Sequence, residues 1–118
     1  MDIKQFIRDY YNSILDPEAI KNFLHPKVDI QWYSLRGFIE ISRDEFIGLA
    51  EQLNNRYSNS RFEISHIIAE GQQVSIRYAH LIKTFENPDI ETVLSHTNAI
   101  WELKDNKLFK GYIMSHLD

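Results

Sequence analysis

Hydrophobic residues recur at helical spacing at the start of the chain. Ile3, Phe6, Ile7, Tyr10, Tyr11, Ile14 and Leu15 follow the i, i+3, i+4, i+7 pattern of an amphipathic helix, with Asp2 placed to cap it. Asp16-Pro17 restarts the chain as cap and first helical residue. Ile20, Phe23 and Leu24 supply a short stripe, and His25-Pro26 stops it. The period then changes to two. Val28, Ile30 and Trp32 alternate with Asp29, Gln31 and Tyr33, predicting a half-buried strand, and Gly37 turns the chain into a second short apolar run, Phe38 to Ile41. Ser42 and Glu45 form a capping box, each side chain satisfying the other's backbone amide. It opens a third helix with Phe46, Ile47, Leu49, Ala50, Leu53 and Tyr57 on its stripe.

From Arg61 the pattern is antiparallel strand throughout: 61 to 69, 73 to 85, 91 to 103 and 107 to 117. Glu70-Gly71, Asn87-Pro88-Asp89 and Asp105-Asn106 supply the turns. Helices first and a meander last predict an α+β domain covering 1–118, with the helices on one face of the sheet.

Composition narrows the function classes. At 118 residues, 43% hydrophobic and 13% aromatic, the chain has enough apolar mass for one core and no room for a second domain. Thirteen basic residues against seventeen acidic ones give a net charge of -4 with no basic cluster, so neither nucleic acid nor a membrane is an expected partner. The absence of cysteine removes thiol nucleophiles and Cys-containing zinc sites. The five histidines lack the His-x-x-x-His spacing of a helical metal site, and neither a metal nor a cofactor is expected. There is no glycine-rich phosphate loop and no nucleophile elbow. With charges spread through the first fifteen residues and no span of membrane length, the expectation is a soluble, cytoplasmic protein.

The order of elements, with "FLHPKVDIQW", "RG", "AEGQQVSIRY" and "ELKDNKLFKGYIMSHLD", resembles the nuclear-transport-factor-2-like superfamily over the whole chain. Its polyketide-cyclase-like and ketosteroid-isomerase-like branches are the nearest. The resemblance implies a cone-shaped, curved, mixed but mainly antiparallel sheet wrapped around three N-terminal helices. It also implies an apolar cavity and a homodimer packed through the outer sheet face. In the isomerase branch a carboxylate abstracts a proton beside an oxyanion hole made by a tyrosine and a protonated aspartic acid. The resemblance places Trp32 at the base position, Asn98 near the aspartate, and Arg8 near the tyrosine, with Tyr10 and Tyr11 close by. An indole cannot take a proton, so that isomerisation is not expected in its usual form. The cyclase branch uses an acid on the last strand, where this chain offers Ile113 and Ser115 as the cavity-facing positions.

Turn positions give an expected register, because opposed residues of a hairpin share a face. A loop centred on Pro88 opposes His80 with His96 and Tyr78 with Asn98. A two-residue Asp105-Asn106 turn opposes His96 with Ser115. The expected site is therefore a catalytic pair, His80 and His96, with Trp32, Tyr78, Asn98 and Ser115 binding a small apolar molecule. A register displaced by one residue brings His116 and Asp118 into the cavity instead. Two readings stay open beside ligand binding. One is a non-catalytic dimerisation or protein-interaction module with a plugged cone. The other is a cyclase, isomerase or dehydratase acting on a polyketide-like or steroid-like substrate.

Overall fold

The computed structural model describes residues 1–118. Three helices, α1 (Ile3–Ser13), α2 (Pro17–Ile20) and α3 (Arg43–Arg56), accompany β1 (Leu24–Ser34), β2 (Gly37–Ser42), β3 (Asn59–Glu70), β4 (Gln73–Lys83), β5 (Thr92–Lys104) and β6 (Lys107–Leu117). The predicted caps are present: Asp2 accepts from Gln5 N, Asp16 accepts from Glu18 N and Ala19 N, and Ser42 and Glu45 form the full capping box.

The six strands form one sheet in the order β2-β1-β6-β5-β4-β3. Every neighbouring pair is antiparallel except β1 and β6, which run parallel. The sheet is thus mixed and mainly antiparallel, and it wraps the helices as the expected α+β cone. Extra residues at Ser65 in β3, Leu94 in β5 and Phe109 in β6 interrupt the ladders. Such bulges bend a strand and increase its twist, which is how a sheet of long strands curls around helices.

The second helix is shorter than its pattern predicts. Leu24 is claimed by the sheet, paired with Leu108, and Phe23 O accepts from Leu108 N at 2.8 Å. His25-Pro26 consequently lies inside β1 and does not terminate a helix.

The core centres on Trp101, which is fully buried beneath Tyr10 and Tyr11 of α1. Across the sheet, Gly111 lies directly opposite Trp101, and a Cβ at position 111 would fall 2.5 Å from the indole Cζ3. Glycine there is a requirement of close approach, not of backbone angle.

Ladder pairings sort the inner wall into rows. Ala69, Val74, Trp101, Gly111, Ile30 and Ile41 form one row, and Ile67, Ile76, Ala99, Ile113 and Trp32 form the next. Then come Ile64, Tyr78, Thr97 and Ser115, followed by Phe62, His80, Ser95 and Leu117. Apolar rows occupy one end and polar groups collect at the other.

This register corrects the expected one. His80 opposes Ser95, and His96 opposes Ala79, so His80 and His96 stand on opposite faces of the sheet. Asn98 opposes Arg77 and also faces outward. The physical cause is the pair of bulges. Ile82 pairs with Thr92, centring the loop on Asn87, and the extra residue Leu94 shifts the rest of β5 by one. Phe109 then shifts β6 by one more. The two displacements cancel in β6, so Ser115 and Ile113 face inward as expected, while His116 and Asp118 lie outside.

Candidate functional site

The inner wall around His80 gathers Ser60, Tyr78, Ser95, Thr97 and Ser115 on four adjacent strands. Each gets there by strand alternation, which turns every second side chain of β4 and β5 inward. His80, Ser95 and Thr97 are 5%, 8% and 5% exposed. No side chain on the inner rows carries a formal charge at neutral pH, so the wall offers hydroxyls and one imidazole against an apolar background.

His80 is one of two members with an unsatisfied polar atom. Its Nε2 is buried and has no hydrogen-bond partner, as is true of Ser60 Oγ nearby and of Tyr10 Oη deeper in the core. The ring stacks on Phe62, with centroids 4.4 Å apart and planes inclined by 19°. Burial without a compensating anion pushes the imidazole pKa down to about 4. At neutral pH the group is an uncharged donor and acceptor.

Beside it, the Tyr78 hydroxyl is held up at about 12 by burial, partly offset by hydrogen bonds from Thr97 and Tyr11. Tyr11 in turn accepts from Trp101 Nε1 at 3.0 Å. Burial also raises the Tyr10 and Tyr11 hydroxyls well above the ordinary phenol range, so none of the three serves as a base near neutral pH. Tyr11, Phe62 and Tyr78 pack as an aromatic trio at centroid distances of 4.7 to 6.0 Å.

Trp32 and Ser115 are brought together, the indole Nε1 donating to Ser115 Oγ at 2.8 Å. Of the sequence-predicted residues, then, Trp32, Tyr78, His80 and Ser115 share the inner wall. His96 and Asn98 do not, and the catalytic pair of His80 with His96 is not formed. In their place stand Ser95 and Thr97, with Phe62 over the imidazole. Their signal was present in β5: Ala99, Trp101 and Leu103 share the phase of Ser95 and Thr97, and a tryptophan and a leucine outweigh Leu94 and Ile100 as markers of the buried face.

Phe62 sits between His80 and the edge of the sheet, since β3 is an edge strand. One residue earlier, Arg61 donates to both carboxylate oxygens of Glu91 at 2.8 and 2.7 Å, pinning the segment before β5 against β3. This forked contact keeps the Glu91 carboxyl below its usual pKa. Two of the molecule's grooves lie elsewhere. One of about 560 Å³ runs between β2 and α3 and includes Ile39, Glu40 and Leu49, and one of about 300 Å³ includes Lys27, Arg43 and Asp44. Neither reaches His80.

No protein-family model matches the chain. A stretch of 99 residues, 84% of the chain, is 34% identical to a glutamate–tRNA ligase of Mycoplasmopsis agalactiae. This chain spans only 19% of that protein's length. Among solved structures, the proposed polyketide cyclase IdmH of Streptomyces antibioticus superposes with a TM-score of 0.79 at 12% identity, over 98% of this chain and 92% of that one. An NTF2-like protein of unknown function from Burkholderia pseudomallei gives 0.69 at 15% identity, over 98% and 89%. The fold of this chain is that of the nuclear-transport-factor-2-like superfamily. No helix is long and apolar enough to cross a membrane.

Proposed function

We propose that the chain binds a small, largely apolar, uncharged molecule inside the cone, oriented by His80, Tyr78, Ser95, Thr97 and Ser115. The observation that carries this reading is the buried, unpartnered Nε2 of His80 among uncharged hydroxyls. Buried polar atoms are otherwise nearly always paired, and a hydroxyl or carbonyl on a ligand supplies the missing partner. A charged ligand is disfavoured, because nothing on the inner rows offsets the loss of its hydration.

Phe62 gates the site: its ring swings off His80 to admit the ligand and stacks on it afterwards. Trp32 lines the wall through its contact with Ser115. Any chemistry at the site is limited to acid-base steps that a neutral imidazole supports, on a polyketide-like or steroid-like substrate. No carboxylate stands on the inner wall to act as the base in its place.

The outer sheet face supports a homodimer. Ile68, Ile100 and Tyr112 lie in one row across it, and Met114, Tyr33 and Phe38 in the next, with Ile68 and Met114 respectively 68% and 65% exposed. Ser75 separates Ile68 from Ile100, but Ile100 with Tyr112 and Met114 with Tyr33 and Phe38 are direct neighbours, and such an exposed apolar patch favours a partner over water. The match to part of a tRNA ligase favours a second reading, an interaction module that works attached to or beside other proteins.

Titration with 2-naphthol, a neutral flat phenol, followed through Trp32 and Trp101 fluorescence, tests the first reading. Saturable quenching is expected, weakened by Thr97→Val and by His80→Phe and unaffected by His96→Ala. Absence of saturable binding in the wild type, with a dimer or mixed assembly through the outer face, favours the interaction module.

A further inference from the structure

The bulge at Leu94 turns His96 out of the cone and the bulge at Phe109 brings His116 directly opposite it on the outer face, one histidine on each of two paired antiparallel strands. Directly opposed residues hold their Cβ atoms about 4.5–5.5 Å apart, a span across which two imidazoles can share one ion about 2.0–2.1 Å from each nitrogen. Both side chains are exposed, so neither needs to break packing to turn toward the other.

A second, independent feature completes the arrangement. His96 Nδ1 lies 2.9 Å from Asp118 Oδ1, and Asp118 is held there by its own backbone N–H donating to Leu94 O at 3.0 Å. A carboxylate accepting from Nδ1–H leaves the Nε2 lone pair free to ligate, the outer-shell support typical of metal-bound histidine. On the outer face Ala79 stands beside His96, and the next row holds Asn98 and Met114 with Arg77, paired with Asn98 on β4, as the one cationic side chain near the pair. Nowhere in the molecule do three His, Asp or Glu side chains converge as a complete set of metal ligands. The site is accordingly a two-ligand one, with its remaining positions open to water or to a group from another molecule.

We propose that His96 and His116 chelate a divalent transition ion of the imidazole-preferring kind, Cu²⁺, Ni²⁺ or Zn²⁺, with Asp118 as a positioning residue. Two neutral nitrogen ligands select these ions over Mg²⁺ and Ca²⁺, which take oxygen. The site is independent of the cone and of any ligand bound there.

Calorimetric titration of the untagged chain with NiCl₂ and with CuCl₂ tests it. The wild type is expected to bind one ion per chain, or one per two chains if a second copy supplies the open positions. His96→Ala and His116→Ala each weaken binding by at least about tenfold, and the double variant is little weaker than either single one, because a lone imidazole is what each single variant retains. Asp118→Asn weakens it by a smaller factor, within the roughly 10–100-fold range of lost outer-shell partners. Both histidines being exposed, far-ultraviolet circular dichroism of the variants stays that of the wild type. The proposal is overturned if either single variant binds as tightly as the wild type. It is equally overturned if His66→Ala, on the same face, produces the same loss.

Discussion

The imidazole of His80 lies flat against the ring of Phe62, 4.4 Å from it, and no anion faces it from any neighbouring strand. Burial without a charged partner keeps the histidine neutral, and this has a measurable consequence. Its folded pKa of about 4 lies below the ordinary value of 6.5. Between those two values the unfolded chain takes up a proton that the native chain refuses, so stability is full above the upper value and falls as pH drops toward the lower one. The loss reaches about 3 kcal/mol at most. Urea unfolding at about pH 7 and about pH 4.5 measures it. His80→Gln, which does not titrate, is expected to flatten that part of the profile. An unchanged slope means that the proton is taken up elsewhere.

Phe62→Ala uncovers the imidazole. The histidine pKa then rises toward the ordinary value and access from the sheet edge becomes faster. Imidazole titration by nuclear magnetic resonance, and stopped-flow mixing with 2-naphthol, check the two effects separately. A variant in which the pKa stays low assigns the desolvation to the sheet and not to Phe62.

Gly111→Ala is expected to cost about 2 kcal/mol or more, because the new methyl collides with the fully buried Trp101 and the indole has no room to retreat. In a domain of this size that lowers the thermal midpoint by roughly 4 °C or more per kcal/mol. Combining it with Trp101→Leu is expected to cost less than the sum of the two single losses, since the collision is then gone. Strict additivity in a double-mutant cycle would contradict the packing described.

Tyr11→Phe removes the only acceptor of the Trp101 indole N–H while leaving the ring cluster in place. A buried donor without a partner costs about 1–3 kcal/mol. Thermal or urea unfolding reads it directly, and a loss below about 0.5 kcal/mol means that the indole finds another acceptor.

Much of the fold was legible because β4 and β6 alternate without ambiguity. Val74, Ile76, Tyr78, His80 and Ile82 all face inward as their spacing says, and the strand from 107 to 117 has the predicted ends. Capping at Asp2, Asp16 and Ser42 was legible for the same reason: it depends on local hydrogen bonds between residues two or three apart. The candidate site was read only in part. Turn positions fix a register only where no bulge intervenes, and the extra residues at Leu94 and Phe109 are tertiary adjustments to sheet curvature that no turn position reveals; only the phase of Trp101 and Leu103 marks which face of β5 is buried. Ser115 was placed correctly although both steps leading to it were off by one. His96 and Asn98, between the two bulges, were not. The shortened second helix has a similar cause, the pairing of Leu24 with Leu108, a partner 84 residues away that no local pattern reveals.

The most direct test of ligand binding in the cone follows the histidine side chains themselves. In protein labelled with ¹⁵N-histidine, long-range imidazole spectra recorded during titration with 2-naphthol resolve each ring. His80 is expected to shift saturably, with the signal of an Nε2 that gains a hydrogen bond, while His96 and His116 stay fixed. A His80 signal unmoved up to the solubility limit of the phenol, or a saturable shift confined to His96 and His116, would contradict binding inside the cone.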